Sequence, residues 1–190
     1  MGPEYSVTYF GAPGKENTEA ALQSALRYAK EKGIENIIVA STGGDTGLKA
    51  AEIFEGFNLV VVTHMTGQKG PGIQEMPEEI RKKIQVEGGK VLTTTHALAG
   101  VGRGIRYKTA TWMPVEIMAQ TLKLFGEGTK VAVEITVMAA DSGYIPMDED
   151  VISIGGTSRG ADTALHIKPA HSNNFFDLRV KRIICKPENL

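Results

Sequence analysis

The sequence predicts an α/β fold, a three-layer sandwich around a mainly parallel, mixed sheet. Three observations predict it. Short apolar runs such as Ile37-Ile38-Val39 and Leu59-Val60-Val61-Val62 lack polar alternation, as strands buried on both faces do. Stretches of helical period stand between these runs. Glycines and capping residues mark their borders. A chain of 190 residues is enough for one domain, spanning 1–190, with a core that needs no disulfide.

The elements follow in order. Residues 6–10 read as the first strand. Asn17 or Thr18 can cap a helix whose Leu22, Ala25, Leu26 and Ala29 form one apolar stripe, and Gly33 ends it. Residues 36–40 are a buried strand, 46–55 a second helix closed by Gly56, and 58–63 another buried strand. Residues 76–86 form a charged third helix before Gly88-Gly89, and 90–95 a strand. Residues 113–125 form a fourth helix, with Pro114 in its first turn and Ile117, Met118, Thr121, Leu122 and Phe125 on its apolar face. After Gly126 the pattern changes. Residues 130–138, 150–154, 163–167 and 175–185 all read as strands with no helix between them, extending the sheet in antiparallel or mixed fashion.

Composition narrows the function. Lys and Arg number 21 against 22 Asp and Glu, so no global field draws the chain to nucleic acid or an anionic membrane. Cys185 is the only cysteine, which excludes an intrachain disulfide and a Cys-rich metal site. It ends the run Ile183-Ile184-Cys185 and reads as a buried strand residue. The N-terminus has neither a basic region nor a long apolar one, and Pro3 argues against myristoylation of Gly2. A soluble, cytoplasmic protein is expected.

Three loops could carry chemistry. In the first, Ser41, Thr42, Gly43, Gly44, Asp45, Thr46 and Gly47 follow a buried strand and open a helix. Clustered glycines let backbone N–H groups approach an anion, the helix N-terminus adds positive potential, and Ser41, Thr42 and Thr46 add hydroxyls. This is the composition of a phosphate cradle, although no Lys precedes Thr46 as it would in a Walker A motif. A tight turn capped by Thr46 explains the same residues. In the second, Gly155, Gly156, Thr157, Ser158 and Arg159 lie in a Gly-rich connection between strands, where Arg159 can grip phosphate or simply be solvated. In the third, Gly100, Gly102, Gly104, Arg103, Arg106 and Lys108 suggest either a mobile lid or a flexible connection. His64 and His96 each follow a strand on the ligand side and are candidate acid–base residues or ordinary loop residues. No metal site is inferred: His166 and His171 lack ligand partners at suitable spacing, and Asp141, Asp148, Glu149 and Asp150 read as solvated turns.

The order of parts resembles the C-terminal domain of pyruvate kinases. Residues 16–64 are similar to the start of that domain: a helix, an apolar strand, a Thr-x-Ser-Gly-x-Ser/Thr loop, a helix and a further strand ending in Thr. Here the loop reads Ser41-Thr42-Gly43-Gly44-Asp45-Thr46, with Gly43 in place of the usual serine. Residues 150–167 resemble the domain's last hairpin, with Gly155, Gly156 and Gly160 on its effector loop. The resemblance implies a domain that holds a phosphorylated effector between these two loops. It covers the whole chain in pattern and about a third of it in motif. The catalytic barrel of pyruvate kinase has no counterpart in these residues.

The leading expectation is therefore a binding protein for a phosphorylated small molecule or mononucleotide. Flavin mononucleotide (FMN) is favoured, with Met65, Trp112 and Met113 offering surface to its ring. The alternatives are a small-molecule enzyme using His64 or His96, such as a flavin-dependent reductase or a phosphatase, and a protein-interaction module. Association with further copies is left open. These 190 residues are expected to transfer no phosphoryl group between phosphoenolpyruvate and ADP; a coupled assay showing turnover that survives repurification contradicts this.

Overall fold

The computed structural model describes residues 4–189. The strands are β1 (Thr8–Phe10), β2 (Asn36–Ala40), β3 (Asn58–Val62), β4 (Lys90–Leu92), β5 (Val151–Gly155), β6 (Thr163–Lys168) and β7 (Arg179–Pro187). They form one sheet in the order β1-β7-β6-β5-β2-β3-β4. Only β6 runs against the others: it pairs antiparallel with β5 and β7, and every other pairing is parallel. The carboxyl ends of six strands therefore share one edge of the sheet with the start of β6. β2 and β3 are in register from Asn36↔Asn58 to Ala40↔Val62.

The helices are α1 (Thr18–Lys32), α2 (Asp45–Ile53), α3 (Glu78–Val86), α4 (Gly100–Thr109), α5 (Pro114–Lys123) and α6 (Glu127–Asp141). Successive strand residues point to opposite faces, and both faces are apolar. Ile37, Val39, Leu59, Val61, Ile152 and Ile154 pack with Ala21, Leu22 and Ala25 of α1, Ala50, Ala51 and Phe54 of α2 and Ile84 of α3. The intervening Ile38, Val60, Val62 and Val151 pack with Ala132, Val133, Ile135, Met138 and Ala139 of α6. That second face confirms the three-layer arrangement. Cys185 is fully buried in the first core, and burial pushes its thiol up to about 12.

Three expectations are corrected. Residues 130–138, read as a strand, lie inside α6. The run is rich in β-branched residues, but α6 is wedged between the sheet and α5. Twelve of its 15 residues are buried, so it has no solvent face to display a helical period. Ser153 of β5 fits this packing by donating its hydroxyl to the Ala132 carbonyl, 2.8 Å away. Residues 100–108 are helix α4, not a loop: Gly102 lies close to Met113 and Val115 of the following segment, and Arg106 pairs with the buried Glu116 at 2.8 Å. Finally, the stretch 175–185 divides into a 3₁₀ turn, Ser172–Asp177, and β7.

The loop between β5 and β6 is pinned by Asp162. This fully buried carboxylate accepts the amides of Gly14 and Thr157, both at 3.1 Å, and the Thr163 hydroxyl at 2.8 Å. Thr18, at the start of α1, accepts the Ala161 amide at 3.1 Å. Asp162→Ala leaves three donors without an acceptor in a buried setting and should lower stability by about 3 kcal/mol, read from urea unfolding.

Candidate functional site

A cavity of about 830 Å³ opens at the carboxyl edge of the sheet. The chain moves from β2 to β3 and β4 on one side, then returns through α6 to place β5 on the other side of β2. The loops after β2 and β5 thus diverge, and the crevice between them is where ligands bind in doubly wound sheets. The structure brings both predicted loops to it. Thr42, Gly43, Asp45, Thr46, Gly156, Ser158 and Arg159 line the cavity, as does Ser41. Gly155 and Thr157 do not. Gly155 belongs to β5 and packs so tightly on α6 that a Cβ there would lie 2.3 Å from the Gly128 carbonyl oxygen. Thr157 spends its amide on Asp162.

The first loop presents its backbone. Among the described residues, the amides of Thr42, Gly43, Gly44, Asp45 and Thr46 find no hydrogen-bond acceptor. Ser41 faces inward and accepts the Gly47 amide at 3.0 Å, so its oxygen caps α2. Gly44 turns the chain with φ +104°, and a Cβ there would lie 2.2 Å from Ile80. Gly47 packs on Val61 with no room for a side chain. These two glycines shape the loop, whereas Gly43 faces the cavity. Asp45 is exposed at the first position of α2, where its charge complements the helix dipole. In the second loop the amides of Gly156, Ser158, Arg159 and Gly160 are likewise without acceptors among the described residues.

Arg159 joins the two loops. A Cβ built on Gly43 would stand 3.2 Å from its Nη1. Lys15 and Lys49 also line the cavity, and among the described residues none of these three cations has an ion-pair partner. Lys123 pairs with Glu127 at 2.7 Å, and Lys130 with Glu134. Glu134 also accepts the Leu98 amide at 2.9 Å, which fastens the loop after β4. Val62, Val131, Ile135 and Met138 supply apolar lining. Met65, Trp112 and Met113 are absent from the lining, which corrects the surface expected for a ring. Trp112 is instead half exposed beneath the Arg106 guanidinium.

Both histidines reach the cavity, their rings 5.4 Å apart. His64 Nδ1 lies 2.7 Å from Glu75, whose side chain is 9 % exposed, and Nε2 lies 3.3 Å from the Thr42 hydroxyl. The hydrogen bond from His64 holds the Glu75 carboxyl below its ordinary value. A carboxylate only accepts, so Nδ1 carries the proton, and in the neutral ring Nε2 accepts from Thr42. His96 is buried, accepts the Met65 amide at Nε2, and is held below its ordinary value first by that burial. The sequence reading missed Glu75, Lys15, Lys49 and the role of Asp162.

The family model described as pyruvate kinase, alpha/beta domain matches residues 19–165. The chain belongs to that family. The matched span begins in α1 and ends in β6, so the family's α/β domain contains both amide-bearing loops, α6 and the crevice between them. β1 and β7 lie outside the match. It is an α/β domain of the effector-binding type.

Gly43 and Gly44 respond differently to a methyl group. Gly44→Ala meets both a disallowed backbone and Ile80, and should cost about 2 kcal/mol or more. Gly43→Ala meets only the mobile end of Arg159 and should leave the melting temperature within a few degrees of the parent. Thermal melts of the two variants check the contrast.

Proposed function

We propose that this protein binds a phosphorylated small molecule or mononucleotide in the crevice between β2 and β5, with the phosphate on residues 42–46. The observation that carries the reading is the convergence of two sets of acceptor-free amides on one cavity, with Arg159 between them. Amides at a helix N-terminus and a guanidinium fork together suit a phosphate dianion. Lys15 and Lys49 supply further positive charge at the rim.

FMN is the ligand we propose within that class. The cavity is of mononucleotide size, and its lining combines amide-bearing loops with the apolar Val62, Val131, Ile135 and Met138, a mixture that suits a phosphate joined to a flat ring. An enzyme acting on the same ligand is a second reading. Its support is the hydrogen-bonded series Glu75, His64 and Thr42 at the phosphate end.

Calorimetric titration with FMN, set against riboflavin, tests the proposal. FMN should bind, and riboflavin, which lacks the phosphate, should bind at least tenfold more weakly, a difference of about 1.4 kcal/mol. Arg159→Ala should weaken FMN about tenfold, and Thr46→Ala several-fold, by about 1 kcal/mol. Equal affinity for FMN and riboflavin overturns the phosphate assignment. An absence of binding by either flavin, with a different phosphate ester found in the freshly purified protein, overturns FMN alone.

A further inference from the structure

His64 stands where a phosphate on the first loop must be met. Its Nε2 lies 3.3 Å from the hydroxyl of Thr42, a cavity-lining residue whose amide has no acceptor among the described residues. The Glu75 carboxylate fixes Nδ1–H on the far side of the ring. In the neutral ring Nε2 therefore carries a lone pair that takes the Thr42 hydroxyl, and that hydroxyl is free for a phosphate only if Nε2 no longer needs it. A phosphate dianion also presents only lone pairs. The two repel unless Nε2 gains a proton.

Resting on the phosphate-binding reading above, we propose that His64 is a ligand-contacting residue that takes up a proton as a phosphomonoester dianion seats, and that Glu75 positions it for this. The proton comes from solvent and goes to Nε2. The Thr42 hydroxyl, released from the ring, turns to donate to a phosphate oxygen. The imidazolium then donates Nε2–H to the ligand and Nδ1–H to Glu75, one cation between two anions. No covalent bond is made or broken.

The surrounding charges favour this arrangement. On the same connection, Lys69 lies 3.6 Å from the other Glu75 oxygen and shares that carboxylate. From the loop after β4, His96 packs edge-on to His64. Because burial lowers its basicity and its Nε2 is taken by the Met65 amide, it adds no competing proton acceptor there. Behind His96, Lys130 and Glu134 of α6 neutralise each other, and Arg103 of α4 donates to Gln68. On α2, Asp45 and Lys49 offer opposite charges to the cavity, Lys15 lines it too, and Arg159 reaches the first loop at Gly43.

Two consequences are measurable. Wherever binding takes up a full proton, affinity falls about tenfold for each added pH unit. Glu75→Gln breaks the link in a way that a purely structural role does not. The amide of Gln can donate to Nδ1 as readily as it accepts from it, so the neutral ring can present Nε2–H and bind phosphate without a proton.

The experiment is nitrogen-15 and proton NMR of the whole chain at mildly alkaline pH, titrated with inorganic phosphate. The amides of residues 42–46 report binding, and the two ring nitrogens of His64 report its proton. We expect phosphate to shift the amides and convert His64 to the doubly protonated ring. In Glu75→Gln the amides should still shift while the ring stays neutral. Amides that shift while wild-type His64 stays neutral overturn the inference and leave the phosphate site standing. Equal protonation in Glu75→Gln overturns the role of Glu75. Amides that do not respond even to saturating phosphate overturn the phosphate reading itself, and this inference with it.

Discussion

Two loops at the carboxyl edge of the sheet leave a run of backbone amides without acceptors among the described residues, and this requires that something hold those amides away from their usual partners. Two devices do so here. On the β2 side, Ser41 caps the Gly47 amide from inside, so the turn closes without using residues 42–46. On the β5 side, Asp162 takes the amides of Gly14 and Thr157, while those of Gly156 and residues 158–160, which line the cavity, have no acceptor among the described residues. The two devices share a logic: a buried side-chain oxygen satisfies the amides that cannot see the cavity. Asp162 also ties the second loop to the segment before α1. The crevice is therefore bounded by backbone that is braced on both sides of the sheet's switch point.

Much of this was legible in the sequence because it depends on local chemistry. Unbroken apolar runs gave β2, β3 and β5 their buried character, and glycine with hydroxyl residues after β2 marked the turn into α2. The parts that escaped depend on tertiary packing. α6 hid because burial on nearly every side erased its amphipathic pattern. Yet within α6 Glu127, Lys130 and Glu134 stand at spacings of three and four, and Lys130 and Glu134 are an ion pair along one helical turn. That charge rhythm was the available signal of helix, and it competed with a run of β-branched residues. α4 was misread because three glycines argue against a helix by propensity, whereas here Gly102 allows close packing against the segment that opens α5.

At the site, residue types were readable and their partnerships were not. Thr42 and His64 could each be placed at a strand end by pattern. Their hydrogen bond follows from the pairing of β2 with β3, which sets the two strand ends side by side. Glu75 lies eleven residues beyond His64 in a connection that folds back on itself through the Gly67–Ile73 and Ile73–Gly70 hydrogen bonds. Nothing in its own neighbourhood announces that return. Asp162 was the more readable omission: a lone acid against the apolar strand Thr163–Lys168 must find donors when it is buried. Ser41 illustrates the reverse. It has the right chemistry for an anion contact, yet its oxygen serves the helix.

The burial of Cys185 has a practical side. Its thiol sits in the first core and is held far from its reactive, ionised form. As the chain's only cysteine, it makes the folded molecule nearly silent to thiol-specific reagents, and the opened molecule reactive towards them at one defined place. Modification of this protein by a thiol reagent therefore counts opening events of the core between α1 and the sheet. The molecule carries an internal clock for its own unfolding, set in the layer opposite α6, and any ligand that binds only the folded state slows that clock.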